Sequence, residues 1–231
     1  MEHDKTDNSL HLKTLEAEVR EAVAKGLHTR ETVRHLTLNA MNAHHLDLTS
    51  LQRIITAIIQ GVHDGATQQL QHVINQTQTA KSQIHEAVAG LDSALASFAQ
   101  ASKLALEEAA SQTQKFSENE LKQAHSELES LESLFLDILH NTANAAQGLT
   151  ADILHDLGRH AKNNGTAVGL QLIETLEIFK QQIASIGHAQ LETGVSLAHA
   201  TADLVGKIAN GVLSGVNDKI NCVVLYQKET K

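Results

Sequence analysis

The chain has 231 residues, a formal net charge of −9, and no proline or tryptophan. Because proline interrupts helices and is common in turns, its absence indicates that little of the chain is irregular. Aromatic residues make up only 2% of the chain and hydrophobic residues 42%, so the core must be aliphatic, as in helix-on-helix packing. The acidic balance argues against nonspecific nucleic-acid binding, which requires clustered Lys and Arg.

Apolar stretches are interrupted early, and none approaches the ~18 apolar residues of a membrane span. The N-terminus, MEHDKTDNSL, lacks the layout of a signal peptide. Cys222 is the single cysteine and has no partner for an internal disulfide. These features predict a cytoplasmic protein without a transmembrane segment.

The first 46 residues predict two short helices. Apolar residues recur at helical spacing from residue 9 to Gly26, which stands where a C-terminal cap belongs. A second helix is predicted to begin near Thr29. The pattern breaks from His44 to Asp47, and Asp47 is a suitable N-cap for the helix that follows.

From about Leu48 to Gln112 the helical pattern continues almost without interruption. A single helix of that length would be roughly 95 Å long. Gly61, Gly65 and Gly90 are the positions where we expect it to bend.

A capping box, Ser at 117 and Glu at 120, predicts the start of the next helix. Apolar residues then alternate in steps of three and four as far as Leu149, which is a heptad pattern. Five of these residues form the predicted seam for pairing with a second copy: Leu121, Leu128, Leu131, Phe135 and Ile138.

Asn163-Asn164-Gly165 predicts a turn, and a final long helix is expected from there to about Ile220. Its second half carries few charges and many glycines, including the pair Gly211 and Gly215. Close helix–helix approach would explain the glycines, and so would an adaptable face that lies on an apolar surface. The predicted surface-binding residues are Leu197, Leu204, Val205, Ile208, Val212 and Val216.

Fifteen histidines raise the question of metal binding. The tetrapeptide Asp-Ile-Leu-His occurs at 137–140 and again at 152–155, and carboxylate and imidazole at this spacing share a helix face. Both copies are predicted to lie on one helix, about 22 Å apart along its axis, so they cannot share one ion. We therefore predict no metal site and no cofactor, and we regard a pH response of the histidines as a separate hypothesis.

Three segments resemble an uncharacterised family of bacterial helical proteins: AVAGLDSALASFAQASKLALEEAASQTQKFSENEL at 87–121, LESLFLDIL at 131–139 and HAKNNGTAVGLQ at 160–171. The resemblance covers most of residues 20–215 and implies a helical fold without an assigned activity. In composition the chain is also similar to phasins, the amphipathic helical proteins that coat polyhydroxyalkanoate granules. That similarity implies association with a granule.

We predict an all-α fold: an elongated antiparallel bundle of about three long helices plus two short N-terminal helices, with coiled-coil-like packing. The predicted divisions are the short helices at 1–46, the long-helix bundle at 47–221 and a tail at 222–231. The predicted function is non-enzymatic, a structural or surface-associating role such as phasin-like binding to a hydrophobic granule or lipid surface. The alternatives are a homo-oligomeric coiled-coil scaffold or protein-interaction module, and a metal-binding helical bundle.

Overall fold

The computed structural model describes residues 2–42, 47–72, 77–111 and 118–189, and within these ranges the chain is all-α, without a strand. The described helices are α1 (Glu2–Lys25), α2 (Thr29–Asn42), α3 (Leu48–His72), α4 (Thr77–Ser111), α5 (Glu118–Glu129), α6 (Leu131–Ala145), α7 (Gly148–Asn164) and α8 (Ala167–Ala189). Their core is aliphatic, as the composition predicts, with Phe135 and Phe179 among its largest fully buried side chains.

The helix ends at the N-terminal part of the chain agree with the sequence. Gly26 has a φ of 67°, and its N–H donates to the carbonyl oxygen of Ala22 at 3.0 Å, which closes α1. The side chain of Asp47 caps α3, because its Oδ1 accepts the N–H of Ser50 at 2.7 Å. Both predicted caps are confirmed.

Helices α1 and α3 lie in close contact along two glycines one turn apart. A Cβ atom added to Gly61 would lie 2.5 Å from the carbonyl oxygen of Glu16, and one added to Gly65 would lie 2.5 Å from that of Arg20. Because the contacts advance in the same direction along both helices, α1 and α3 run parallel. Helix α3 continues through both glycines, and the bends expected there stay a prediction.

Helices α2 and α4 also approach closely. A Cβ atom on Gly90 of α4 would overlap the carbonyl oxygen of Arg30, so this glycine too provides close packing within an unbroken helix. Two helical turns before Gly90, Gln83 of α4 forms hydrogen bonds with the turn between α1 and α2. Its Nε2 donates to the carbonyl oxygen of Gly26 at 3.4 Å, and its Oε1 accepts the hydroxyl of the buried Thr29.

The prediction of one helix from Leu48 to Gln112 is wrong, because Gln69 and Gln83 both lie beside Gly26, whereas one straight helix would hold them about 21 Å apart. Helix α3 ends at His72 and α4 begins at Thr77, with residues 73–76 outside the described part of the chain. Apolar residues at helical spacing are buried in both helices: Leu51, Ile55, Ile58 and Val62 in α3, and Ile84, Val88, Leu91, Leu95 and Phe98 in α4.

The predicted heptad helix is also divided. Helix α5 ends at Glu129, and Ser130 donates both its N–H (3.2 Å) and its hydroxyl (2.9 Å) to the carbonyl oxygen of Ser126. A second break falls after α6, where α7 begins at Gly148 with a φ of 62°. The predicted capping serine, Ser117, lies outside the described residues.

The chain divides into two compact units. Unit 1 takes the described residues up to Leu95 together with Glu132–Ala167, and unit 2 takes Ala96–Leu131 and the described residues from Val168. Helices α1 and α2 share unit 1 with α3, and the predicted divisions at residues 46 and 221 stay predictions.

Candidate functional site

Helix α8 carries apolar side chains on opposite faces. Val168, Leu172 and Phe179 are buried in unit 2, at the helical spacing of a core-facing stripe. On the other side Leu170 is 68% exposed and Ile173 is 70% exposed. Because residues three apart are neighbours on a helix surface, these two form an exposed apolar pair. We call Leu170 and Ile173 the α8 pair.

The inner face of α8 is fixed to α4. The hydroxyl of the buried Thr175 donates to the carbonyl oxygen of Ala99 at 3.2 Å, and it also lies 2.9 Å from the carbonyl oxygen of Gln171 in its own helix. An ion pair joins Lys103 of α4 to Glu174 at 3.3 Å. These contacts fix the rotation of α8 about its axis, so the α8 pair faces away from α4.

Further along, α8 and α5 form an open cleft with a volume of about 290 Å³. Lys122 and His125 of α5 line it on one side, and Lys180, Ile183 and Ala184 of α8 line it on the other. The lining combines three nitrogen-bearing side chains with an apolar surface. We call these five residues the α5–α8 cleft.

His125 is the most enclosed polar group of the cleft, with a side chain 16% exposed. Its Nδ1 lies 3.9 Å from a carboxylate oxygen of Glu129, whereas its Nε2 is buried and has no hydrogen-bond partner. Lys122 pairs with Glu118 at 2.5 Å. Among the described residues, no carboxylate lies within ion-pair distance of Lys180.

The two Asp-Ile-Leu-His copies do not lie on one helix. The break after Ala145 places His140 on α6 and His155 on α7, and their rings meet edge to face with centres 5.7 Å apart. The expected separation of 22 Å is therefore wrong, since it assumed a continuous helix. Within the described residues, no group of three or more His, Cys, Asp or Glu side chains is placed to hold a metal ion.

Another histidine, His85 of α4, lies in unit 1 among charged side chains of both signs. Burial lowers the pKa of His85, and the nearby Lys81 and His160 lower it further. Glu86 and Asp156 act in the opposite direction but do not outweigh these effects. His85 therefore favours its neutral form in the folded protein.

The five predicted seam residues are all buried within the single chain: Leu121, Leu128, Leu131, Phe135 and Ile138. Their stripe is part of the intramolecular core, so pairing with a second copy would require other side chains. The predicted surface-binding residues, Leu197, Leu204, Val205, Ile208, Val212 and Val216, lie outside the described residues.

Sequence reasoning missed both the α8 pair and the α5–α8 cleft. The Lys-x-x-His spacing of Lys122 and His125 places both on one face of a helix, but Lys180 follows about 55 residues later and only the fold brings it near. The residues predicted for the last helix did not include Leu170 or Ile173. Leu170 and Ile173 stand out only once the buried face of α8 is known.

Helices packed around aliphatic cores, with glycines at their closest approaches, define an all-α protein. In the part of the chain that the structure describes, no helix has the length and apolar character needed to cross a membrane. The chain belongs to DUF6781, a family of unknown function, whose model matches residues 5–222. The resemblance to an uncharacterised helical family is thereby confirmed. Neither the curated proteins nor the solved structures give a match.

Proposed function

We propose that this protein is a non-enzymatic helical protein that associates with an apolar surface through the outer face of α8. The observation that carries the proposal is the α8 pair, two large aliphatic side chains about 70% exposed on a helix whose opposite face is fixed in the core. Exposed apolar groups that lie side by side mark sites of interaction more often than scattered ones do. A phasin-like association with a polymer granule is the specific form of this proposal.

The energy available from the α8 pair is adequate for a reversible contact. Full burial of a Leu or Ile side chain is worth about 1.5–3 kcal/mol, so burying the exposed parts of both would contribute about 2–4 kcal/mol. That is roughly a 100-fold effect on affinity. The sequence after α8 adds further apolar residues, which include the six predicted surface-binding positions.

The net charge of the protein determines which kind of apolar surface it is expected to bind more strongly. With a net charge of −9 the chain is repelled by anionic lipid headgroups, and that repulsion weakens as salt increases. An uncharged apolar surface, such as a polyester granule or a zwitterionic bilayer, carries no such penalty. We therefore expect stronger binding to uncharged surfaces than to anionic ones.

Co-sedimentation of the full chain with polyhydroxybutyrate granules and with phosphatidylcholine vesicles tests the proposal. The double variant Leu170→Ser/Ile173→Ser is expected to lower binding about 100-fold, because it removes the apolar contact. Leu27→Ser is the matched control, since Leu27 is 73% exposed but lies in the turn between α1 and α2. Binding that is absent in the parent chain, or is lost equally in the control, contradicts the proposal.

Self-association is the alternative that uses the same feature. The predicted seam is buried within the chain and is not available to a second copy. A second copy could instead cover the α8 pair, which is exposed. Light scattering over a range of protein concentrations distinguishes the two. A dimer that dissociates in Leu170→Ser/Ile173→Ser, without granule or vesicle binding by the parent chain, would favour the scaffold.

A further inference from the structure

We propose that the α5–α8 cleft binds a small organic oxyanion, a carboxylate or phosphate group carrying a short apolar chain. The proposal rests on Lys122, His125 and Lys180 and on the apolar floor beside them. It does not depend on surface association, because neither Leu170 nor Ile173 lines the cleft. Nothing in the family assignment specifies a ligand.

The convergence of nitrogens from two helices is the first part of the argument. Lys122 and His125 stand one turn apart on α5, and Lys180 reaches the same cleft from α8. In a chain with a net charge of −9, Lys122 and Lys180 bring two ammonium groups to one cleft. Ammonium and imidazole groups make charge-assisted hydrogen bonds to carboxylate and phosphate oxygens.

The second part of the argument is the state of His125. Its Nε2 is buried without a protein partner, and an unpaired polar atom of this kind costs about 1–3 kcal/mol. Most buried polar atoms in folded proteins are paired, so a buried exception calls for a physical explanation. Nε2 is enclosed in this structure, so an oxyanion in the cleft would accept its hydrogen bond, and remove the cost, only once the ring of His125 rotates toward the cleft.

The acidic groups near the cleft lie beside Lys122 and His125, and none of the described ones forms an ion pair with Lys180. Glu118 pairs with Lys122, and Glu129 lies 3.9 Å from the other ring nitrogen of His125. Glu177, one turn before Lys180, accepts a hydrogen bond from Gln181 at 3.3 Å. Lys180 thus remains as the cation that no described carboxylate neutralises, and it is the main attraction for an anion.

The two apolar residues that line the cleft restrict the class of ligand that it can bind. Ile183 and Ala184 line the cleft on the side of α8, next to Lys180. A fully hydrated inorganic ion would not use this surface, whereas an alkyl chain attached to the anionic group would cover it. Each buried methylene group contributes about 0.8 kcal/mol, which makes a chain of several carbons bind measurably tighter than its shortest homologue.

Isothermal titration of the full chain with acetate, hexanoate and inorganic phosphate, at a fixed ionic strength set with chloride, tests the proposal. We expect saturable binding of one hexanoate per chain, at least tenfold tighter than acetate. Lys180→Ala and His125→Ala are each expected to weaken binding about tenfold, since each removes one charge-assisted hydrogen bond. Lys162→Ala is the matched control, because Lys162 is an exposed lysine near the end of α7.

Proton and nitrogen NMR spectra of the unmodified chain give an independent measurement that does not depend on variant folding. Hexanoate is expected to shift the ring signals of His125 and the amide signals of Ile183 and Ala184 more than others. Inorganic phosphate binding with no preference for hexanoate over acetate would overturn the apolar part of the proposal. Absence of saturable binding by any of the three anions, or shifts spread evenly over the chain, would overturn it entirely.

Discussion

Substitution of Gly61 by alanine tests the close packing of α1 on α3. The added methyl group would lie 2.5 Å from the carbonyl oxygen of Glu16 and 3.0 Å from the Cβ atom of Val19. Favourable carbon–oxygen contacts of this type lie at about 3.3–3.6 Å. The two backbones must therefore separate by about 1 Å, because the opposing oxygen belongs to a helix backbone and cannot rotate away.

The magnitude follows from two opposing effects. Overpacking of a filled core costs typically 1–3 kcal/mol, and a clash with backbone belongs at the upper end of that range. Alanine offsets about 1 kcal/mol of this cost, since it is the better helix former. We expect Gly61→Ala to lower the free energy of unfolding by about 2 kcal/mol. Gly61→Ala/Gly65→Ala should cost less than the sum of its parts, because one separation of α1 from α3 relieves both clashes.

Urea denaturation followed by circular dichroism at 222 nm measures this change as a shift in the midpoint. Gly158→Ala is the matched control. Gly158 lies inside α7, where an added Cβ atom would meet only Leu139 Cδ2, at 3.8 Å. This control should be stabilised by about 0.5–1 kcal/mol through helix propensity. If Gly61→Ala were as stable as Gly158→Ala, the reasoning about backbone contact would be refuted.

Two other predictions concern α3 and α4. Asp47→Ala should destabilise the protein by about 1 kcal/mol through loss of the cap on α3, and Asp47→Ser should recover most of the loss in the same urea assay. Acidification should destabilise the parent chain because the pKa of His85 is lowered in the folded state, so the unfolded chain binds more protons as pH falls through about 6.5. Thermal melts at pH 7.5 and 5.5 should show a smaller loss for His85→Gln and for Lys81→Gln, and an unchanged loss in both would contradict this assignment.

Local chemistry made the helix ends predictable, but tertiary geometry did not follow from the same signals. Gly26 and Asp47 are residue types that favour helix caps, so the sequence alone indicates these two helix ends. Gly165, with a φ of 81°, ends α7 as its turn motif predicts. The break at Ser130 has no such signal, because it contains neither glycine nor proline. An apolar stripe shows which side chains face a core, and it continues across a short break whether or not the backbone remains helical.

The candidate site was less predictable for the same reason. A glycine inside a helix signals only that a side chain is missing, so Gly61 could equally indicate a bend or a close contact. The α5–α8 cleft joins residues from helices distant in sequence, and no periodicity within one helix predicts such a meeting. His140 and His155 show the effect most clearly, since one unpredicted break brings their rings into contact.

The parallel pairing of α1 with α3 has a consequence for biosynthesis. Glu16 meets Gly61 and Arg20 meets Gly65, so the closest partner of the first helix is made about 45 residues later. An antiparallel pair joined by a short loop could form as soon as its second half left the ribosome. In this chain, the aliphatic face of α1, which includes Val19 and Val23, is not packed against α3 until α3 has emerged from the ribosome. The aliphatic face of α1 therefore needs protection from aggregation until α3 has been synthesised.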